Sequence, residues 1–247
     1  VIEKLIRQRI GVVMNKSNAL TGVLNELKAF PLFHDLTDEL ILNLCETGVV
    51  KVHQHKDQVF TFGEPAFHFG IVLSGAYKLS RVSHVGEESV IHFSSPGDVV
   101  AALVMPQPKP LYPVTVKAMG PSRILLIHRD TYIQNWLKNP ELIIRIQSLL
   151  STRMSRFQNQ KVMQRSPLQS KVAAMLLQLV AKDSVTTELE VPLPLTRKEI
   201  ADTLGVTVES VIRVMSEWVK KGYVVTTDQH IKILKPDLII ELADQID

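Results

Sequence analysis

The residues best suited to chemistry lie together in one stretch, residues 193–236, which reads LPLTRKEIADTLGVTVESVIRVMSEWVKKGYVVTTDQHIKILKP. Arg213 carries a planar fork of donors that matches the O6 and N7 acceptors of guanine. Glu209 stands four residues earlier, one helical turn away on the same face. Its carboxylate suits the amino group of cytosine, and it can also pair with Arg213 as an i, i+4 neighbour. Val208, Ser210 and Ile212 share the surface that such a helix would turn toward base edges. Thr196, Arg197, Lys198 and Thr207 supply hydroxyls, cations and helix N-termini suited to phosphate oxygens. Together these groups would read double-stranded DNA.

For them to act together, Glu209 to Arg213 must lie on a helix whose opposite face is buried. Val211, Val214, Met215 and Trp218 form that apolar stripe. Thr196 caps a preceding helix, Arg197–Leu204, with Glu199 closing a capping box. Ala201 is small where two helices must cross, Gly205 permits a left-handed turn, and Thr207 caps the second helix. YVVTTDQHIKIL then predicts a two-stranded wing turning at Asp228-Gln229. Helix, turn, helix and hairpin in this order predict a winged helix-turn-helix.

Upstream the period is different. Residues 49–128 alternate short β-rich runs (VVKVHQH, QVFTFGEP, FGIVLSGAYKLSRVS, ESVIHFSSPGD, VVAALVM, YPVTVKAMGPSRILLIHRD) with glycine and proline. That pattern predicts a β-sandwich, jelly roll or barrel. Phe60, Phe62, Phe67 and Phe69 read as its core. Two helices precede it, one with Leu20, Leu24 and Leu27 on a face, the other capped by Thr37 and closed by Gly48. A long helix follows from Pro140 to Arg165. In it Ile143, Ile146, Leu150, Met154 and Phe157 step by three and four, a seam suited to a second copy of the same helix. Arg145, Arg153, Arg156 and Lys161 read as solvated charge on its other faces. Ser166-Pro167 reads as a hinge, SKVAAMLLQLVAK as a further helix, and Asp183–Glu190 as a loop. The expected class is α+β: a β-roll sensor domain over 1–136, a dimerisation helix over 137–165 and a winged helix-turn-helix domain over 166–247.

Composition narrows the function. The 247 residues are 45% hydrophobic and 21% charged, ordinary for a cored soluble protein. No apolar run reaches the ~20 residues of a membrane span. Residues 1–13 intersperse charge with apolar residues, which predicts a short amphipathic helix or a non-native extension ahead of Met14, and not a signal peptide. One cysteine, Cys45, excludes an internal disulfide and any all-cysteine metal site within one chain. A cytoplasmic location is expected. Basic residues exceed acidic ones 6 to 1 over 137–165, but over 166–247 the count is 9 basic to 12 acidic. That balance excludes a nonspecific nucleic-acid coat and leaves specific recognition by a few placed cations.

At this point the chain resembles the Crp–Fnr superfamily of bacterial transcription regulators, from Leu27 to Leu242. FGIVLSGAYKLSRV is similar to the family's central hairpin and HFSSPGDVV to its phosphate-cassette approach. SRILLIHRDTYIQNWLKNPELIIRIQSLLSTRM is similar to its strand-to-dimerisation-helix passage. LTRKEIADTLGVTVESVIRVMSEWVKKGYV is similar to its DNA-binding signature, with Glu-Ser-Val-x-Arg at Glu209–Arg213. The resemblance implies a homodimer, RNA polymerase as a partner, and Glu209 and Arg213 reading a TGA-like core of an inverted repeat.

Three departures bear on the effector. Ala101-Ala102 stands where cyclic-nucleotide-binding members carry Gly-Glu, Tyr112-Pro113 where they carry Arg-Ser, and Phe157-Gln158 where they carry a purine-contacting Thr-Ser. Neither tyrosine nor proline replaces an arginine clamp on phosphate. Cyclic AMP is therefore not expected, nor is an iron–sulfur cluster, since the cysteine cluster of that subgroup is missing. No cofactor is predicted, and haem or another effector is left open.

Two other readings stand beside this one. His53 and His55 form a His-x-His pair that, with His84 or His92, suggests a metal-centre enzyme in which the helix-turn-helix is only structural. A ligand-binding module without DNA affinity is the other. Neither a third ligand at convincing spacing nor an acidic one accompanies the histidines, so no metal site and no enzyme are expected.

Overall fold

The computed structural model describes residues 16–84, 86, 88–162, 166–180 and 189–244. The helix expected within 1–13 and the end of the long helix at Arg165 lie outside the described residues.

Helix α1 (Lys16–Lys28) and helix α2 (Asp38–Leu44) open the described chain. Thr37 caps α2 by accepting from the Leu40 N–H at 3.3 Å. Leu20, Val23, Leu27, Ile41 and Leu44 bury their side chains in the core of the β domain. Cys45, just past α2, is fully buried, and burial pushes its thiol up to about 12, so it packs as a small hydrophobe.

Eight strands follow: β1 (Val49–His53), β2 (Gln58–Phe60), β3 (His68–Ser74), β4 (Tyr77–Val82), β5 (Glu88–Ser94), β6 (Val99–Val100), β7 (Thr115–Ala118) and β8 (Ser122–His128). They form two four-stranded sheets, ordered β1-β8-β3-β6 and β2-β7-β4-β5, with every pairing antiparallel. Non-sequential neighbours in each sheet make this a roll rather than a meander. Phe69, Ile71, Ile124, Leu125 and Ile127 are fully buried at its centre.

A helical turn, α3 (Arg129–Thr131), runs into a π-helical stretch at Tyr132–Trp136. Trp136 ends in the core, donating its indole N–H to the Leu44 carbonyl at 2.8 Å. Helix α4 (Pro140–Val162) then extends about 35 Å. Leu142 and Ile146 bury its first turns against the roll. Arg145 is not solvated charge: it pairs with Glu141 and donates to the carbonyls of Leu32 at 3.1 Å and His34 at 2.5 Å. Those carbonyls end a turn with no helix to continue it, and the guanidinium satisfies them.

The C-terminal unit holds α5 (Leu168–Leu179), β9 (Leu189–Glu190), α6 (Arg197–Leu204), α7 (Val208–Lys220), β10 (Val224–Thr227), β11 (His230–Ile233) and α8 (Pro236–Asp244). Its small sheet is ordered β10-β11-β9. Ala76, Val90, Phe93 and Met119 of the roll belong to the same buried cluster as this unit, so the two share a seam.

Several expectations need correction. VVAALVM is not a strand: β6 ends at Val100, Ala101 turns left-handed at φ 65°, and Ala102–Val104 is a 3-10 turn. Phe62 and Phe67 are 44% and 59% exposed, because both fall in the connection between β2 and β3. Phe62 instead carries the Arg81 guanidinium over its ring, 4.4 Å from the centroid. Leu189 and Glu190 are not loop but a third strand of the wing sheet, paired with Ile233 and Lys232. His55 lies beyond the end of β1, so strand alternation does not place it beside His53.

Two glycines test how local geometry enters stability. Gly75 joins β3 to β4 at φ +73°, and a methyl there would meet the Pro121 carbonyl at 2.5 Å and the Ser122 Cα at 2.7 Å. Gly205 also has positive φ, +65°, but open space around it. Gly205→Ala is expected to cost about 1–2 kcal/mol of left-handed strain. Gly75→Ala adds a backbone clash and is expected to cost roughly 3 kcal/mol or more. Urea denaturation of both variants measures the difference.

Candidate nucleic-acid interface

The helix-turn-helix forms as its residues require. Thr196 Oγ1 accepts from the Glu199 N–H at 3.1 Å, while the Glu199 carboxylate accepts from the Thr196 N–H at 2.9 Å. This capping box starts α6. Gly205 ends it, and the Val206 N–H closes back on the Ala201 carbonyl at 3.1 Å. Thr207 then starts α7 by accepting from the Ser210 N–H at 3.3 Å.

Helix α7 is sharply two-sided. Val211, Val214, Met215 and Trp218 are at most 5% exposed and join the core that includes Ile200 and Ala201 of α6. Glu209, Ile212 and Arg213 project from the opposite side into solvent, with Ile212 47% exposed, and Val208 and Ser210 flank them half-buried. Among the described residues no ion pair or side-chain hydrogen bond joins Glu209 to Arg213 or occupies either one. The i, i+4 pairing is not made, and both charged ends face outward. Ser210 is partly engaged, since Thr207 Oγ1 donates to its hydroxyl at 3.0 Å.

The candidate phosphate contacts divide between two helix starts, Thr196, Arg197 and Lys198 at that of α6 and Thr207 at that of α7. Lys198 is exposed, with Asp202 3.2 Å from its ammonium. Arg197 reaches the wing and donates to Thr226 Oγ1 at 3.0 Å, and its burial lowers the guanidinium from its ordinary value. Arg197 therefore ties α6 to β10. Asp228 and Gln229 both turn left-handed, at φ 48° and 69°, which tightens the β10–β11 hairpin into a two-residue turn.

Sequence reasoning missed a clasp between this unit and the roll. The Lys78 ammonium of β4 donates to Glu88 of β5 at 3.0 Å and lies 3.9 Å from the capping-box carboxylate of Glu199. Ser80 donates to the same Glu88 at 2.6 Å. No local pattern marks such a contact, because its partners are 10 and 121 positions from Lys78 in the chain.

The seam residues of α4 divide between tasks. Ile146 is buried in the protomer's own roll, Ile143 is half-buried, and Leu150 and Met154 line a cavity between α4 and the roll. The side chains of Phe157 and Gln158 lie outside the described residues. Ala101, Ala102, Tyr112 and Pro113 line the same cavity.

The histidines do not converge. His53 Nδ1 lies 3.1 Å from the Tyr77 hydroxyl, and His55 Nδ1 donates to the Met119 carbonyl at 2.8 Å. Among the described residues no group of three His, Cys, Asp or Glu is placed to hold a metal. No described helix is long and apolar enough to cross a membrane.

Comparison with known proteins agrees with this geometry. Residues 50–138 match the model of the cyclic nucleotide-binding domain, and residues 170–242 that of the Crp-like helix-turn-helix domain. The transcriptional activatory protein AadR of Rhodopseudomonas palustris is 25% identical over 193 residues, 76% of this chain and 78% of that protein. The nitrogen fixation regulation protein FixK of Bradyrhizobium diazoefficiens is 26% identical over 192 residues, with the same coverage of 76% and 78%. The solved structure of FixK2 from Bradyrhizobium japonicum superposes with a TM-score of 0.68 at 18% identity, covering 79% of this chain and 96% of that one.

The clasp has a pH signature. Burial pushes the Glu88 carboxyl up, but the Ser80 hydroxyl and the Lys78 ammonium outweigh it and hold the group below its ordinary value. A depressed carboxylate stabilises the fold above its unfolded value and loses that contribution as pH falls through the folded one. Glu88→Gln is expected to cost about 1–2 kcal/mol at neutral pH. In acid, below the ordinary carboxylate range, its urea midpoint is expected to converge on that of the parent.

Proposed function

The chain belongs to the Crp–Fnr superfamily of transcription regulators, and we propose that two copies of it bind an inverted-repeat operator in duplex DNA. Each copy places α7 in the major groove with its N-terminal residues leading. The observation that carries this reading is the exposed, unpaired face of Glu209, Ile212 and Arg213, set by the buried stripe behind it. Arg213 forks onto guanine and Glu209 accepts from cytosine, as a TGA-like core requires. Val208, Ser210 and Ile212 border those bases. Lys198 and the N-termini of α6 and α7, at Thr196 and Thr207, face the phosphates, while Arg197 fixes the wing beside them.

The second copy pairs along α4. Ile144 and Met154 are 61% and 58% exposed on this helix, apolar surface that a partner helix would cover. Dimerisation sets the two α7 helices ~34 Å apart, as successive major grooves on one face of the duplex demand. An effector in the roll, other than cyclic AMP, alters that spacing through α4. No metal site and no iron–sulfur cluster enters this reading. The protein works in the cytoplasm, where its DNA and RNA polymerase are found.

Gel-shift titration on a duplex with two TGA-type half-sites tests the assignment. Arg213→Ala is expected to cost about 1–3 kcal/mol on this operator and little on an unrelated duplex. Lys198→Ala is expected to weaken binding to both and to lower the salt slope by about one. Unchanged operator binding by Arg213→Ala removes the base-reading role. A monomer by sedimentation at the binding concentration removes the dimer.

A further inference from the structure

The space between the roll and α4 is a cavity of about 470 Å³. That volume lies in the range of sites that enclose small molecules. Phe60, Val100, Ala102 and Val116, each at most 5% exposed, form its floor. Leu149, Leu150 and Met154 of α4 cover it. Among its described lining residues there is no Lys, Arg, Asp or Glu, and His92 and Tyr112 are the polar side chains among them.

The Tyr112 hydroxyl is already committed. It accepts from the His68 N–H at 3.2 Å and donates to the His68 carbonyl at 3.0 Å. Its ring stacks on Phe60 at 4.3 Å between centroids, so the cavity meets an aromatic face rather than a phenol. The loop at the opposite wall carries a second sign of a built site. Ala101 holds φ 65°, a conformation disfavoured for any residue with a Cβ, and its methyl adds to the apolar lining.

We propose that this cavity binds a neutral, largely apolar small molecule and rejects anions, and that α4 reads its occupancy. The inference rests on the proposed function, in which an effector in the roll gates DNA binding. An anion entering here would lose its water with no cation among the described lining residues to replace it. An apolar molecule gains by the same desolvation. Such an occupant touches the roll floor and the α4 side chains together, so it ties the helix to the roll.

Full-length protein titrated with the neutral dye N-phenyl-1-naphthylamine provides the test. The expected result is saturable fluorescence at one dye per chain, displaced by 1-decanol and not by cyclic AMP at the same concentration. Leu150→Trp fills the cavity from the helix and Ala102→Phe from the roll. Either variant that still melts cooperatively is expected to bind the dye at least tenfold more weakly. Absence of saturable binding, displacement by cyclic AMP, or unaltered affinity in the folded variants overturns the proposal. Gel shifts on the same preparations separate the two readings. Operator binding without dye binding defeats the cavity assignment alone, and dye binding without operator binding defeats the DNA reading instead.

Discussion

The rotation of α7 about its own axis is the constraint on which the rest of this structure depends. Val211, Val214, Met215 and Trp218 bury one stripe of the helix almost completely. At ~1.5–3 kcal/mol for each large apolar side chain, that stripe supplies roughly 6–12 kcal/mol, comparable to the net stability of a whole domain. A rotation by one residue would expose it, so the helix has a single azimuth. Glu209, Ile212 and Arg213 face outward as a consequence. The turn at Gly205 and the small Ala201 let α6 cross closely enough to complete the burial.

The roll and the helix-turn-helix are not independent bodies in this arrangement. Phe93, Val90, Met119 and Ala76 pack into the same cluster as the C-terminal unit. Lys78 stands between Glu88 of the roll and Glu199 of the capping box. The capping box therefore does two things: it starts α6 and offers the roll a charged handle. The roll also holds the first turns of α4 through Leu142 and Ile146, and Arg145 ties them to the segment between α1 and α2. On the proposed reading, a molecule between the roll and α4 acts on a body that touches both the dimerisation helix and the DNA-reading unit.

Much of this was legible in the residues, for reasons that differ by element. The helix-turn-helix was clear because its determinants are local: caps at Thr196 and Thr207, a left-handed turn at Gly205, and a stripe of 3.6-residue period. The roll was legible as a class, because strand alternation and turn residues bounded Val49 and His128 as its ends. Its interior was not. The left-handed Ala101 interrupts a run whose composition reads as strand, and nothing in the local residues reveals which side of the chain a short connection exposes, as Phe62 and Phe67 show. β9 reads as loop because two residues carry no period, and pairing with β11 alone makes them a strand. The Lys78 clasp and the Arg145 contacts join residues far apart in the chain, beyond the reach of any periodicity. Helix α8 has one local signal, Pro236 at its first position, where proline favours a helix start.

The charge distribution adds one further consequence for the mechanism. The DNA-reading unit carries 9 basic and 12 acidic residues over 166–247, so it has no general electrostatic attraction for a polyanion. The basic excess sits instead in the segment 137–165, which contains α4. Nonspecific affinity scales with the number of phosphates neutralised, and a unit with fewer basic than acidic residues gains little by it. On the proposed reading, much of the affinity then comes from base contacts, which operate only when α7 is set in the groove. Two weak readers become one selective reader only when held together at the right separation, because the second contact is then intramolecular. On the proposed reading, control over the pairing along α4 amounts to control over DNA binding itself.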